Sequence, residues 1–358
     1  MNDLNAFFEE PVFSLSAEEK RRRFTTIMQV RNQHHFDHCA EYRSIWTALG
    51  MEPASCNTLE DMPFLPTSLF KQYDLKSVPD EAVVKTMTSS GTSGQAVSRI
   101  FLDKEAARLQ SKTLTKIMSD FLGTGRRPML VLDSQSVVRA GGALSARGAG
   151  VLGFSILGKR PVYALDDQMQ LDLDVVTEFL ETHQGKPLLL FGFTYIVWQH
   201  FYQALKEKGV KLEMPGSVLM HGGGWKKMQD LKIDNDTYKK ELRDVCGIEQ
   251  VFNYYGMIEQ TGSIYVECEH GRLHCSNFSD VIIRRPDFSV CEPGEPGLIQ
   301  TLSLLPESYS GHNLMTEDMG ELLGEDDCPC GRSGKTFAVH GRAFAAEIRG
   351  CSDTFAAA

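Results

Sequence analysis

Between residues 128 and 222, short apolar runs alternate with stretches of helical period, and this alternation constrains the fold more than any other feature of the chain. Pro128-Met-Leu-Val-Leu-Asp133, Pro187-Leu-Leu-Leu-Phe-Gly192 and Ser217-Val-Leu-Met220 are too short for helices and too apolar for half-exposed strands. They read as strands buried on both faces, as in parallel sheets. Residues 171–183 and 195–208 carry apolar side chains at helical period and supply the crossovers. The expectation is an α/β fold. Ligands of such sheets lie beyond the carboxyl ends of the strands. The third run leads straight into His221-Gly-Gly-Gly-Trp225, where Gly222, Gly223 and Gly224 let a ring or a phosphate approach backbone.

The flanking segments differ. Residues 17–49 read as helical, with His34 and His38 one turn apart; packed or solvated histidines are the preferred reading there over a metal pair. Pro53, Pro63, Pro66 and Pro79 then break the chain into irregular structure, and residues 106–121 predict a helix stopped by Gly123. Residues 141–158 read only as a Gly-rich segment. Residues 238–245 predict a helix closed at Cys246-Gly247. From Val251 onward short strands dominate, at 264–266, 281–283 and 298–302.

Thr88-Ser-Ser-Gly-Thr-Ser-Gly94 is built of Ser, Thr and Gly alone and lies between two apolar segments. Gly91 and Gly94 allow consecutive N–H groups to turn toward an anion, and Thr88, Ser89, Ser90, Thr92 and Ser93 add hydroxyl donors. A nucleotide phosphate is the expected ligand. The lysine of a P-loop is absent. This stretch resembles the phosphate loop of the adenylate-forming (acyl-activating) enzymes, except that the lysine usual in that superfamily is Val97.

Three later motifs extend the resemblance. Asn253-Tyr-Tyr-Gly-Met-Ile-Glu259 is similar to the superfamily's aromatic-Gly-x-Thr-Glu motif, which implies that Tyr255, beside Gly256, stacks on adenine and that Glu259 holds Mg²⁺. Ile258 stands where a hydroxyl residue is usual. Thr316-Glu-Asp318 resembles the ribose motif, with Asp318 accepting from both hydroxyls. Gly341-Arg342 resembles the start of the hinge. The superfamily's small C-terminal domain and its lysine are expected to be missing. Cys351, preceded by Arg349-Gly350, stands near the end of the chain, where the adjacent cation favours the nucleophilic thiolate.

With a net charge of −10, nothing favours nucleic acid or an anionic membrane surface. No apolar run is long enough for a membrane span. The first residues do not form a signal peptide, and nine cysteines in a chain of 358 residues favour free thiols or metal ligands over disulfides. A cytoplasmic protein is expected. Cys268 with His274, and Cys328 with Cys330, form two short ligand pairs that suit a closed structural zinc site, with His270 and Cys275 as competing ligands. Their context resembles a zinc-binding subgroup related to phenylacetate-CoA ligase.

Taken whole, the chain resembles the acyl-protein synthetases of bacterial fatty acid reductase complexes, the LuxE family. That resemblance implies the large N-terminal domain of an adenylate-forming enzyme: mixed sheets flanked by helices, plus a β-rich subdomain. The expected division is a helical segment over 1–85, an AMP-binding domain over 86–340 and a tail over 341–358 carrying Cys351. ATP and Mg²⁺ would activate a fatty acid as acyl-AMP. Cys351 would take the acyl group and pass it to an acyl reductase partner, within a homo- or hetero-oligomer. Alternatives are an acyl- or aryl-CoA ligase, a carrier-protein loading enzyme and an inactive nucleotide-binding scaffold.

Overall fold

The computed structural model describes residues 4–89, 96–139, 145–224, 228, 230–231 and 233–343. Among these, the chain begins with helices α1 (Leu4–Glu9), α2 (Ala17–His38) and α3 (Ala40–Ala48). Strands β1 (Leu65–Pro66), β2 (Lys85–Thr88) and β3 (Arg99–Leu102) lead to α4 (Lys104–Leu122). Then come β4 (Arg127–Ser134), α5 (Ser136–Arg139), α6 (Ala146–Ser155), β5 (Gly158–Leu165) and α7 (Leu173–Thr182). Strand β6 (Leu189–Phe193) precedes α8 (Thr194–Ile196) and α9 (Gln203–Glu207), which a π-helical stretch joins. After β7 (Val218–Gly222), α10 (Asn235–Cys246) and β8 (Gln250–Tyr255), short strands follow: β9 (Tyr265–Glu267), β10 (Leu273–His274), β11 (Ser279–Arg284) and β12 (Gly297–Ser303). The long strands β13 (Asn313–Glu325) and β14 (Lys335–Arg342) close the described chain. No helix among the described residues is long and apolar enough to cross a membrane.

These elements form two compact units: one takes the described residues up to Ile117 and again from Gly256, the other Met118–Tyr255. In the second unit the strands run parallel in the order β5-β4-β6-β7-β8. The apolar runs occupy its centre, with Leu130, Leu190 and Leu219 at 0% exposure. Phe179, Trp198, Phe201, Tyr238 and Leu242 pack against them from the helices. Asp172 caps α7 by accepting the Val175 N–H at 3.1 Å, and Gly247 ends α10 at φ 64, a conformation that favours glycine.

Helix α6 lies inside the Gly-rich segment, where the sequence predicted none. Its Ser145 cap accepts from the Gly148 N–H at 3.1 Å. The buried Arg147 grips Asp133 at the end of β4 through both guanidinium arms, one of them at 2.8 Å. Glycine and alanine carry no periodic hydrophobic signal, so tertiary contacts decide here.

The first unit holds an antiparallel sheet in the order β11-β12-β13-β14-β10-β9, with β1 running parallel beside β13. Strands β2 and β3 form a separate hairpin. The helical run over 17–49 is two helices, not one, because Cys39 is extended at φ −120. Arg43 accepts the consequence, donating to the carbonyls of Phe36 at 2.7 Å and Asp37 at 2.5 Å that the break leaves open. His34 and His38 stack at 4.5 Å, and His34 Nε2 is 3.0 Å from the Glu307 carbonyl, so the pair serves packing.

Candidate nucleotide site and metal centre

The Ser/Gly loop sprouts from the β2–β3 hairpin, whose last pair is Thr88 with Arg99. One step further, the Ser89 N–H donates to the Ser98 carbonyl at 3.1 Å, and the Ser98 N–H donates to Ser89 Oγ at 2.9 Å. Thr88 and Ser89 therefore stand at the loop's base. Ser90, Gly91, Thr92, Ser93 and Gly94 lie outside the described residues.

Ser98 is 1% exposed. Glu259 sits in the 3-10 turn Ile258–Gln260 and is itself buried. Burial raises its pKa above the ordinary carboxylate value; the Ser98 hydroxyl, its own N–H and the charges of Lys71 and Arg342 pull the other way. The turn is fixed by Tyr309, whose hydroxyl donates to the Glu259 carbonyl at 2.9 Å. The Gln260 amide donates to the carbonyls of Gly311 at 2.9 Å and Thr301 at 3.1 Å.

Asp318 and Arg342 face each other across β13 and β14, with Arg342 Nε 3.8 Å from Asp318 Oδ1. Arg342 also reaches Glu317 at 3.4 Å. Thr316 donates its hydroxyl to the Ile299 carbonyl at 2.7 Å and accepts the Asp318 N–H at 3.1 Å, fixing the backbone that presents Asp318. The first unit thus gathers the loop base, Glu259 and Arg342, the last paired with Asp318. Sequence reasoning missed Ser98 and Lys71. Ser98 lies just beyond the loop motif, a signal that was available; Lys71, in a short 3-10 turn far upstream, offered none.

In the second unit, His221 and Gly222 end β7. The His221 ring is buried, 3.0 Å from the Thr194 hydroxyl and 4.6 Å from the Tyr238 ring. Burial, with Lys239 adding to it, lowers its pKa to about 3, so it is neutral. Gly222 is required by contact: a Cβ there would lie 2.4 Å from the Tyr254 ring. Gly223 has φ +102 and Gly224 is exposed, leaving backbone accessible at the strand end. Tyr255 is half-buried at the end of β8 and Gly256 after it is exposed. Cys351 lies outside the described residues.

The four predicted metal ligands come together in the first unit. Ligand atoms of Cys268, His274, Cys328 and Cys330 all lie within 4.8 Å of one another. Cys268 Sγ is 3.7 Å from Cys328 Sγ, and Cys330 Sγ is 3.4 Å from His274 Nε2. A tetrahedral zinc with ordinary bond lengths needs edges of about 3.8 Å between sulfurs and about 3.5 Å between sulfur and nitrogen. The residues therefore fit the ion. The His270 N–H donates to Cys268 Sγ at 3.4 Å, the kind of support that ligating thiolates receive. Burial and the neighbouring thiols push Cys328 up to about 12. Cys330, although burial opposes it, is held below the usual thiol value by hydrogen bonds from Arg332 and Cys328. The His270 side chain and Cys275 are not in the group.

The family model for acyl-protein synthetase, LuxE, matches residues 2–358. The chain belongs to the LuxE acyl-protein synthetase family. Members are ligases. The relatives include the long-chain-fatty-acid–luciferin-component ligase of Vibrio harveyi, 23% identical over 346 residues, covering 94% of this chain and 88% of that one. The protein of the same name from Aliivibrio fischeri is 23% identical over 314 residues, covering 85% and 80%. Among solved structures, an open conformation of 2-hydroxyisobutyryl-CoA ligase aligns with a TM-score of 0.73 at 17% identity, covering 94% of this chain and 78% of that one. That likeness shows an adenylate-forming ligase fold.

Proposed function

We propose that this LuxE-family ligase activates a long-chain fatty acid with ATP and transfers the acyl group to its own Cys351. The observation that carries the reading is family membership across residues 2–358. The grouping of the loop base, Glu259 and the Asp318–Arg342 pair in one unit supports it. The relatives' names supply the substrate class, a long-chain fatty acid.

In the first half-reaction the fatty carboxylate oxygen attacks the α-phosphorus of ATP, and pyrophosphate leaves. Donors of the Thr88–Gly94 loop receive the charge that grows on the phosphate oxygens. Tyr255, beside Gly256, stacks on adenine, and the backbone at Gly222–Gly224, set by the packed His221, allows the ring to approach. Asp318 accepts from the ribose hydroxyls, and Thr316 and Arg342 keep its carboxylate in place. Glu259 holds Mg²⁺, which, when bound, offsets phosphate charge. In the second half-reaction the Cys351 thiolate attacks the acyl carbonyl carbon; the bond to phosphate oxygen breaks, AMP leaves and a thioester remains. An acyl reductase partner then consumes the thioester.

Cys268, His274, Cys328 and Cys330 hold a structural zinc in this reading. Four protein ligands close the ion's coordination, so it supports the fold and takes no part in acyl transfer. Incubation with ATP, Mg²⁺ and labelled fatty acid, without CoA or carrier protein, tests the proposal: wild type acquires covalent label, and label appearing only when CoA is supplied would overturn it.

A further inference from the structure

We infer that Tyr309 is a positioning residue for the nucleotide-bound metal: its hydroxyl sets where the Glu259 turn stands relative to the hairpin that carries the Ser/Gly loop. This rests on the reading of Glu259 as the acid that holds Mg²⁺.

A short 3-10 turn holds its own shape poorly, because the geometry of its hydrogen bonds is strained. In Ile258–Gln260 the Gln260 N–H reaches the Met257 carbonyl at 3.2 Å. Fixing the acid therefore falls to groups from elsewhere, and these come largely from one stretch, Ser308–Gly311. The Tyr309 hydroxyl donates to the Glu259 carbonyl at 2.9 Å, and the Gly311 carbonyl accepts from the Gln260 amide at 2.9 Å. Gly311 permits the close approach, since a Cβ there would lie 2.6 Å from the Glu259 carbonyl oxygen. The same stretch also holds the hairpin of the loop: the Ser308 hydroxyl donates to the Phe101 carbonyl of β3 at 2.8 Å. It is anchored in turn on both sides of Tyr309. The Ser77 N–H donates to the Ser308 carbonyl at 2.8 Å, and the Ser310 N–H to the Leu75 carbonyl at 2.9 Å. Tyr309 is 0% exposed and its ring stands edge-on to Phe70 at 6.3 Å, so the hydroxyl acts from a fixed place. Loop donors meet the phosphates and Glu259 meets the cation that bridges them, so the distance between loop and acid must match one nucleotide. Ser308 and Tyr309, adjacent in sequence, set that distance from one anchored stretch.

The test measures Mn²⁺ binding by electron paramagnetic resonance in the presence of a non-hydrolysable ATP analogue, beside calorimetric binding of the same analogue in EDTA. Tyr309→Phe keeps the ring and removes only the hydroxyl. It should weaken Mn²⁺ binding about 10-fold, the cost expected for losing an outer support of a metal-binding carboxylate. Metal-free affinity for the analogue should stay at the wild-type value, because the loop and ribose contacts are untouched. Gln260→Met removes the amide that grips the same turn from its other end and should act alike; it carries the test if Tyr309→Phe fails to fold. Unchanged Mn²⁺ affinity in the folded variant would overturn the inference. So would an equal fall in both affinities, which is what a merely structural loosening of the site produces. If Glu259→Gln itself binds Mn²⁺ like wild type, it is the assignment of Glu259 that fails.

Discussion

Burial disfavours the charged form of Glu259, whose own surroundings only partly offset the desolvation. Its pKa is raised, so the folded state binds a proton more readily than the unfolded state does. Its contribution to stability is therefore fully present below the ordinary carboxylate value and is lost as pH rises through the raised one. Glu259→Gln should raise the melting temperature at neutral pH, and the gain should vanish on acidification below the unfolded carboxylate's pKa. The same variant should lose ATP–pyrophosphate exchange by ~10²-fold or more. Thermal melts over a pH series beside exchange assays check both; a variant less stable at neutral pH would contradict the account. Asp318 differs in being partly exposed and faced by Arg342. Asp318→Ala should weaken ATP binding about 10- to 100-fold, as expected for losing hydrogen bonds to a charged acceptor. Calorimetry with ATP decides, and unchanged affinity would remove the ribose role.

At the scale of elements, the candidate metal centre joins segments that are far apart in sequence. Cys268 lies just past β9, His274 ends β10, and Cys328 and Cys330 lie on the turn between β13 and β14. A zinc ion here ties turns to strands, so protein purified without added metal should contain one zinc per chain. Cys328→Ser should lose it and melt several degrees lower; metal content near zero in wild type would leave the cluster as packed thiols. The end of β7 makes a second demand. Gly222→Ala forces a Cβ onto the Tyr254 ring and should destabilise the protein by about 1–3 kcal/mol in denaturant titration. Strands β4, β6 and β7 of the second unit were legible because each is a continuous apolar run, whereas β5 and β8 mix polar residues into theirs and were not; α4 was legible because its apolar residues keep helical spacing. Helix α6 was not, since its small residues and the Arg147–Asp133 pair act only once β4 is in place. Ser98 was missed for a related reason: its pairing with Ser89 exists only once the β2–β3 hairpin has closed, and a serine beside a Ser-rich loop reads as more of the loop.

For the whole molecule, motif order along the chain carried the family reading, and the match over residues 2–358 agrees with it. The grouping of Cys268, His274, Cys328 and Cys330 was also legible, because cysteine and histidine in short pairs have few other uses. The division into two units was not, since the first takes its residues from both sides of the second, and contact between distant segments leaves no local pattern. The central claim is that acyl transfer ends on Cys351. Wild type and Cys351→Ser are incubated with ATP, Mg²⁺ and labelled long-chain fatty acid, without CoA, and both acyl-AMP and protein-bound label are measured. The account predicts that both proteins form acyl-AMP, that wild type alone is labelled, and that neutral hydroxylamine releases the label as it does a thioester. Label on Cys351→Ser equal to wild type, or wild type that discharges its adenylate only to added CoA, would contradict it.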